Sequence, residues 1–426
     1  MPDSSTQQAT MSPVPLGLEP TFGFGDRLGT ATAGHLASLR EAGGAIRGIF
    51  AQQSIREMTR TNRTPDEVMS CAVGALEANA FSDPWGADAD HLKTEDDVRS
   101  MMAAGFVFFT LDPSGDVDQE ADNYDTAQLA ERFEACRDFA PWYDSYLGQT
   151  IQLDSTTIDF NQDTLSRAAV KYGKSIQAAV KLARFVESEA QRLGKSFELE
   201  LSVDETAQPT TPAEHYLIAD QFRQAGVKLI SLAPRFVGDF EKGVDFKGDL
   251  QQLEASLRVH AEIAERMGPY KLSLHSGSDK LAMYPLLART TSGRFHVKTA
   301  GTSYLEALRV AAHKDPSFFR EIIDFSRARY DVDKATYHVS AEVSELPETS
   351  QLSDTDAEVV YLERWSDVPT GRGFTQPGRQ VLHCTFGSVV TDPNLGPRLK
   401  DLLASHAEVY TEVLRDHFVR HLQALR

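Results

Sequence analysis

The sequence contains few cysteines and no long apolar segment. Its three cysteines, Cys71, Cys136 and Cys384, lie far apart without CxxC spacing, which excludes a disulfide framework and a thiolate zinc site. No run reaches the ~18 to 20 apolar residues that cross a bilayer. The start, MPDSSTQQATMSPVP, has neither the basic nor the apolar region of a secretory signal. We therefore expect a cytoplasmic protein that does not bind membranes.

Positive charge is scarce as well. Lysine and arginine total 43 against 62 acidic residues, so the formal net charge is −19. This balance excludes a general nucleic-acid binder but leaves room for a local basic pocket that binds a small anion. The GxSxG elbow and the HExxH zinc helix are also missing. The segment GFGDRLG, residues 23–29, is predicted to be a turn, because no strong strand precedes it and no GK[ST] follows.

The chain alternates short β-rich runs with longer helical patterns, which is typical of βα units around a parallel sheet. Residues 168–193 and 249–267 have apolar residues at helical spacing with charges between them, so we expect helices that cover the sheet. Seven strands are predicted: Ala45 to Phe50, Trp85 to Asp90, Gly105 to Leu111, Phe197 to Val203, Val227 to Ala233, Lys271 to His275 and Phe295 to Thr299.

An eighth strand would close such a sheet into a barrel. Residues 151–160 are predicted to supply it as the fourth of eight, between acidic loops and a long helix. We therefore predict an α/β protein with a TIM-like (β/α)8 barrel and N- and C-terminal additions. The predicted divisions are a flexible N-terminal tail (1–20), a catalytic barrel (21–335) and a C-terminal extension that packs on the barrel (336–426).

The predicted strand within SFELELSVDE, residues 196–205, has two very different faces. Strand alternation puts Phe197, Leu199, Leu201 and Val203 on one face and Glu198, Glu200, Ser202 and Asp204 on the other. A polar face of this kind usually meets water. Inside a barrel, however, a row of acids can bind a metal or move protons.

Polar side chains close most of the other predicted strands. The chemistry of a (β/α)8 barrel sits at the carboxyl ends of its strands, so these residues form one set. They are Asp88, Asp90, His91, Arg235, Asp239, Glu241, His275, Ser276, Asp279, His296 and Lys298. Two imidazoles and a carboxylate from different strands suit a catalytic divalent ion such as Zn, Mn, Fe, Co or Ni. His338 and His383, in strand-like runs beyond the barrel, are supporting candidates.

Six long blocks of the sequence resemble, in order, the tagaturonate epimerase family. They are WGADADHLKT, ELSVDETAQPTTPAEHY, SLAPRFVGDFEKGVDFKGD, YKLSLHSGSDK, FHVKTAGTSYLEALRVAA and VLHCTFGSV. The resemblance extends from about Phe22 to the C-terminus. It implies a barrel-like isomerase that interconverts tagaturonate and fructuronate in hexuronate catabolism. It also implies a divalent metal cofactor and a small keto-uronate as the substrate.

The resemblance implies roles for individual residues. From the DADH block, Asp90 is expected to accept a proton and His91 to bind the metal. From the LSLHSGSD block, His275 is expected to be the second metal ligand. We choose Glu241 as the third ligand, because it supplies the carboxylate that a two-histidine site needs. The alternatives in its block are Asp239 and Asp245.

The proton donor is expected on the acidic strand. We choose Glu200, which lies on the inward row and can be desolvated enough to hold a proton near neutral pH. The alternatives are Glu198, Asp204 and Glu205. Arg235 and Lys298 are predicted to bind the substrate carboxylate, Arg235 because its planar fork can bind a carboxylate through two hydrogen bonds.

The substrate's chemistry indicates the mechanism. Tagaturonate and fructuronate differ at a carbinol carbon β to the ketone, whose C–H bond is not acidified, so enolisation alone cannot invert it. Retro-aldol cleavage, rotation and reclosure can. Two other readings remain open: a related metal-dependent keto-sugar isomerase or aldolase, and a non-catalytic sugar-acid binding protein. The oligomeric state is not predicted.

Overall fold

Eight parallel strands form a closed barrel. The computed structural model describes residues 11–426, and the strands follow the order β1-β10-β9-β8-β7-β4-β3-β2 around the ring. Their bounds are β1 Thr21–Phe24, β2 Arg47–Ser54, β3 Gly86–Leu92, β4 Phe108–Leu111, β7 Glu198–Val203, β8 Ser231–Pro234, β9 Lys271–Leu274 and β10 Phe295–Thr299. The closed ring and its surrounding helices confirm the predicted TIM-like (β/α)8 fold.

The strand that completes the barrel is not the predicted one. The prediction over residues 151–160 is wrong, because Thr150–Gln152 (β5) and Thr157–Asp159 (β6) pair as an antiparallel hairpin outside the barrel. β1 closes the ring instead by pairing with β10 and β2. Its sequence is only TFGF. The glycine, Gly23, has no side chain at a point where those of Gln52 and His296 lie close to its backbone. A strand this short lacks the long alternating pattern by which strands are recognised.

Helices cover the outside of the barrel. The α-helices are α1 Thr32–Ala42, α2 Ile55–Thr61, α3 Pro65–Ala78, α4 Glu95–Ala103, α5 Thr126–Cys136, α6 Tyr143–Tyr146, α7 Gln162–Leu193, α8 Pro212–Gln224, α9 Leu250–Met267, α10 Tyr284–Thr290, α11 Thr302–Lys314, α12 Pro316–Asp333, α13 Asp354–Leu362, α14 Gly378–Cys384, α15 Phe386–Thr391, α16 Leu395–Ser405 and α17 Ala407–Ala424. The long α7 begins after Asn161, whose side chain caps the Thr164 N–H, and ends at Gly194 in the left-handed region (φ 63°). None of the helices within residues 11–426 is long and apolar enough to cross a membrane.

The strands present apolar side chains to the helices and polar ones to the barrel interior. On β7, Leu199, Leu201 and Val203 join the apolar core, whereas Glu200 on the other face contacts side chains from strands across the barrel. The buried polar residues on the barrel strands are Thr21, Gln52, Gln53, Ser54, Asp88, Asp90, Thr110, Glu198, Glu200, Ser202, Ser231, Lys271, Ser273, His296, Lys298 and Thr299. Most TIM barrels fill this space with branched apolar residues, so a charged interior indicates a function.

The predicted N-terminal tail lies only partly within the described chain. Residues 1–10 of the tail fall outside the described residues. Further along, the Val14 amide donates a hydrogen bond of 2.8 Å to the Trp85 carbonyl, and the Gly17 amide donates to the Glu198 carboxylate. Leu16 between them is buried. Residues 14–17 therefore contact the barrel.

A buried ionic cluster joins the C-terminal helices to the barrel. Arg379 of α14 is fully buried, and its Nη2 lies 3.0 Å from Asp279 Oδ2 in the loop after β9. Its other guanidinium nitrogens donate to the carbonyls of Gly243 (2.7 Å) and Leu362 (2.6 Å). Arg379 and two histidines of α17 hold the pKa of Asp279 well below its usual range, although burial raises it. The cluster therefore fixes α14 and α17 against the loop at the carboxyl end of β9.

We expect Arg379→Met to lower the free energy of unfolding by about 3 to 5 kcal/mol, because the substitution leaves the Asp279 carboxylate buried without its cation. Urea unfolding followed by circular dichroism measures this. Arg398→Met is the matched control: its ion pair with Glu321 is about 42% exposed, so the loss should stay below about 1 kcal/mol. Equal small losses in both variants would contradict the role given to the cluster.

Candidate active site

A cavity of about 400 Å³ opens at the carboxyl ends of the barrel strands. Its wall includes Asp90 and His91 from β3, His275 just after β9 and Lys298 from β10. Part of the far wall comes from the C-terminal region, where Tyr337 and His383 face the same space. This is the end of a (β/α)8 barrel at which active sites are found.

The Lys298 ammonium lies at the base of the cavity among three carboxylates. Its Nζ is 2.9 Å from Asp88, 2.7 Å from Asp90 and 2.9 Å from Glu200, and it donates to Thr110 Oγ1 at 2.7 Å. Burial lowers the pKa of Lys298, but the three carboxylates outweigh burial and raise it well above its usual range. The lysine therefore stays charged, and it helps to hold the pKa values of Asp90 and Glu200 below their usual range against the effect of burial.

Asp90 and His91 are neighbours in sequence, yet both face the cavity. Regular strand alternation would send them to opposite faces of the sheet. The pairing of β3 with β4 shifts register between Ala89 and Leu92, and His91 has a positive φ of 53°. This irregularity turns the imidazole inward, as bulges beside active sites commonly do. His91 Nε2 lies 3.7 Å from Asp90 Oδ1.

A carboxylate orients each imidazole of the predicted metal site. Asp112 Oδ2 lies 3.0 Å from His91 Nδ1, and Glu200 Oε1 lies 2.8 Å from His275 Nε2. His91 Nε2 and His275 Nδ1 are therefore the nitrogens left for a metal, an arrangement that is usual around histidine ligands. Asp204 Oδ1 lies 3.2 Å from His275 Nδ1, without the alignment of a hydrogen bond.

The electrostatics of this group favour a bound cation. Burial lowers the pKa of His275, but Asp204 and Glu200 raise it to about 10, and Asp90 and Asp112 similarly raise that of His91 to about 8. Both imidazoles are thus surrounded by negative charge that attracts a proton or a metal ion. The donor atoms of Asp90, His91 and His275 all lie within 4.8 Å of one another. Imidazole and carboxylate donors on three sides fit a divalent transition metal.

The structure does not bring the predicted third ligand, Glu241, to this group. Its carboxylate accepts hydrogen bonds from Lys247 (2.7 Å), Ser340 (2.8 Å) and Gln380 (2.6 Å), so it connects its loop to the C-terminal region. The alternative Asp245 accepts hydrogen bonds from the backbone of its own loop and of Gly373. Asp90 instead places a carboxylate oxygen within 4.8 Å of a ring nitrogen of both histidines.

Glu200, the predicted proton donor, is buried away from the cavity wall. Besides His275 and Lys298, it binds Ser231 (2.6 Å) and Thr110 (3.1 Å), so its oxygens are already occupied. Burial raises its pKa, but Lys298 and His275 hold it well below the usual range. Burial also raises the pKa of Asp204, and His275 likewise holds it below its usual range, so access to the cavity, and not protonation, distinguishes the two acids. Asp204 lines the cavity in its place.

Lys298 and Arg235, the two residues predicted to bind the substrate carboxylate, differ in how many hydrogen-bond donors they have left for a ligand. Lys298 has three protons facing four protein oxygens, which leaves no donor for a ligand. Arg235 lines the cavity, and its Nη1 donates to the carbonyls of Phe236 (3.4 Å) and Gly238 (3.1 Å) in its own loop.

Both supporting histidines line the cavity. His383 is buried with neither ring nitrogen hydrogen-bonded within the described chain, and His338 is exposed, 3.3 Å from Asp239. Asp112 and Lys242 are site residues that the sequence reasoning missed. Asp112 directly follows β4, so the strand-end criterion could have found it. Lys242 sits in a loop after β8, and no sequence signal distinguishes it from other lysines.

The fold and the cavity define a TIM-barrel enzyme whose site carries two oriented imidazoles and several buried carboxylates. The family model described as "UxaE: tagaturonate epimerase" matches residues 6–425. The chain belongs to this family and is therefore an isomerase of the epimerase type.

Its relatives include a tagaturonate/fructuronate epimerase from Thermotoga maritima, which is 38% identical over 415 residues, 97% of this chain and 82% of that protein. Two crystal structures of fructuronate-tagaturonate epimerase UxaE from Cohnella laeviribosi are also similar. The glycerol complex matches at 35% identity and a TM-score of 0.89, covering 97% of this chain and 83% of the other. The native structure has the same identity and TM-score and covers 98% and 83%.

Proposed function

We propose that this protein interconverts D-tagaturonate and D-fructuronate with the help of a divalent metal ion. Family membership over nearly the whole chain supports the substrate. The single structural observation that supports the metal is the pair His91 and His275. In each ring one nitrogen contacts a carboxylate, and the other nitrogen is left for a metal at the cavity.

His91 and His275 would hold the ion, with the Asp90 carboxylate beside them. When bound there, a divalent cation would supply Lewis-acid polarisation of the substrate ketone. Two imidazoles leave several coordination positions open, as a catalytic site requires. Asp112 and Glu200 would hold the imidazole rings in place, and Lys298 would keep Asp90 and Glu200 ionised.

Inversion by retro-aldol chemistry needs proton transfer on two sides of the reacting carbon. One group removes the proton of the β-hydroxyl, the carbon–carbon bond opens to an enolate and an aldehyde, and the aldehyde rotates. Its oxygen then accepts a proton from a second group as the bond re-forms. Asp90 and Asp204 are cavity-lining carboxylates beside the two histidines. We assign Asp90 as the acceptor and, in place of Glu200, Asp204 as the donor.

We expect the purified protein to convert tagaturonate into fructuronate, as followed by NMR of the substrate. Turnover should fall to background after chelation and return on addition of Mn, Co, Ni, Fe or Zn, because the ketone is no longer polarised without the ion. A chelated sample given Mg, which prefers oxygen ligands, is the control. Full turnover after verified metal removal would contradict the metal. Release of free aldol fragments as the main product would indicate an aldolase instead.

Carboxamide variants separate the roles of the three acids. Asp90→Asn and Asp204→Asn should each lower kcat by about 10² to 10⁴ while the metal content stays unchanged, because each removes a proton-transfer group. Glu200→Gln should instead weaken metal affinity about 10- to 100-fold, since it disturbs the orientation of His275. Metal content and kcat are measured on the same samples. Loss of metal from Asp90→Asn would make that residue a ligand rather than the proton acceptor.

The fate of the carbinol hydrogen distinguishes retro-aldol chemistry from a redox route. A redox route needs a hydride carrier, and the sequence has no dinucleotide-binding fingerprint. We expect deuterium at the inverted carbon to remain there through many turnovers, because retro-aldol cleavage never breaks that C–H bond. Mass spectrometry and NMR of the product measure its retention. Transfer of the label to a carrier, or its loss to water, would exclude the retro-aldol mechanism.

A further inference from the structure

Among the lysine and arginine side chains that line the cavity, one differs from the others. Four have a carboxylate within 4.0 Å: Arg27 with Glu57, Arg56 with Glu205, Arg235 with Asp239, and Lys298 with its three acids. Lys242 has none within the described residues; its Nζ donates to the Ser276 hydroxyl at 2.6 Å. It is a cavity-lining cation that no acid of the described chain neutralises at close range.

The position of Lys242 suits the binding of one end of a substrate. Ser276 directly follows His275, so the ammonium lies beside the predicted metal site without contacting its carboxylates. One proton of the ammonium is used by Ser276, and a lysine has three to donate. Lys298 has no free donor, and Arg235 is bonded to its own loop, so neither competes as well for an anion.

The charges around Lys242 favour an anion there. Burial lowers its pKa and the nearby Arg56 lowers it further, while Asp204, Glu205 and Glu57 raise it from a distance. A carboxylate placed against the ammonium would relieve the repulsion between the two cations. The protein as a whole carries a net charge of −19, which repels a uronate, so a local cation is needed where the substrate binds.

We propose that Lys242 binds the carboxylate of the hexuronate substrate and selects uronates over neutral keto sugars. This assignment rests on the proposed function. The carbinol that inverts lies between the ketone and the carboxylate, so retro-aldol cleavage leaves the carboxylate on the aldehyde fragment. Binding at Lys242 therefore retains that fragment in the cavity while its aldehyde group rotates.

Lys242→Met tests the assignment, because methionine keeps most of the length of the side chain without its charge. We expect the KM for tagaturonate to rise about 10- to 100-fold, as for loss of a hydrogen bond to a charged group, with a much smaller change in kcat. The preference of the enzyme for tagaturonate over D-tagatose, which has a hydroxymethyl group in place of the carboxylate, should shrink by a similar factor. Lys242→Arg should retain most of that preference.

Lys228→Met is the matched control, since it removes an exposed lysine just before β8, at the opposite end of the strand from the cavity. Its KM should equal that of the wild type, and thermal unfolding should show that both methionine variants are folded. A folded Lys242→Met enzyme with an unchanged KM and unchanged substrate preference would overturn the assignment alone. A wild-type protein without tagaturonate turnover would overturn the proposed function, and the role of Lys242 with it.

Discussion

The ion network around Lys298 is the constraint on which the rest of the site depends. One ammonium on β10 pairs with acids on β3 and β7, so three strands that are distant in sequence must come together in the barrel before any of these charges is paired. Buried charges without partners cost several kcal/mol each, and a buried pair is stable only when its hydrogen bonds are satisfied. The network therefore links closure of the barrel to the ionised state of Asp90 and Glu200, and an ionised Asp90 is what its proposed role as proton acceptor needs.

Much of the fold could be predicted because its signals are local. Each of the seven predicted strands is present, and SFELELSVDE shows why: its alternation separates a leucine-rich face under the helices from an acidic face inside the barrel. The missed strand, TFGF, has too few residues to show a period, and its place is set by pairing with β2 and β10. The false strand over 151–160 has a strand-like composition but pairs only with itself as a hairpin.

The candidate site was less predictable, because side-chain roles depend on contacts between distant segments. His91 and His275 do meet in one cavity. That His91 shares the cavity with its neighbour Asp90 depends on a register shift and a positive φ, which alternation cannot foresee. Glu241 carries the right chemical group for a ligand, yet its loop directs it to Lys247, Ser340 and Gln380. Sequence spacing identifies which strand ends carry acids but not where each carboxylate points.

The cavity contains both cations that are paired with protein acids and one that is not. This difference accounts for how an acidic protein could bind an acidic substrate. Lys298 pairs with three acids at the base of the cavity and offsets part of their negative charge. Arg27 pairs with the buried Glu57 and Arg56 with the more exposed Glu205, which leaves Lys242 as the cavity-lining cation without a close acid in the described chain. Neither lysine could take the place of the other. Without Lys298, the three buried carboxylates at the base of the cavity would lose their cation. If Lys242 were paired with protein carboxylates, it would have no charge left for the substrate. The two lysines therefore do different work for one physical reason: a cation already paired with protein carboxylates cannot also attract a substrate carboxylate.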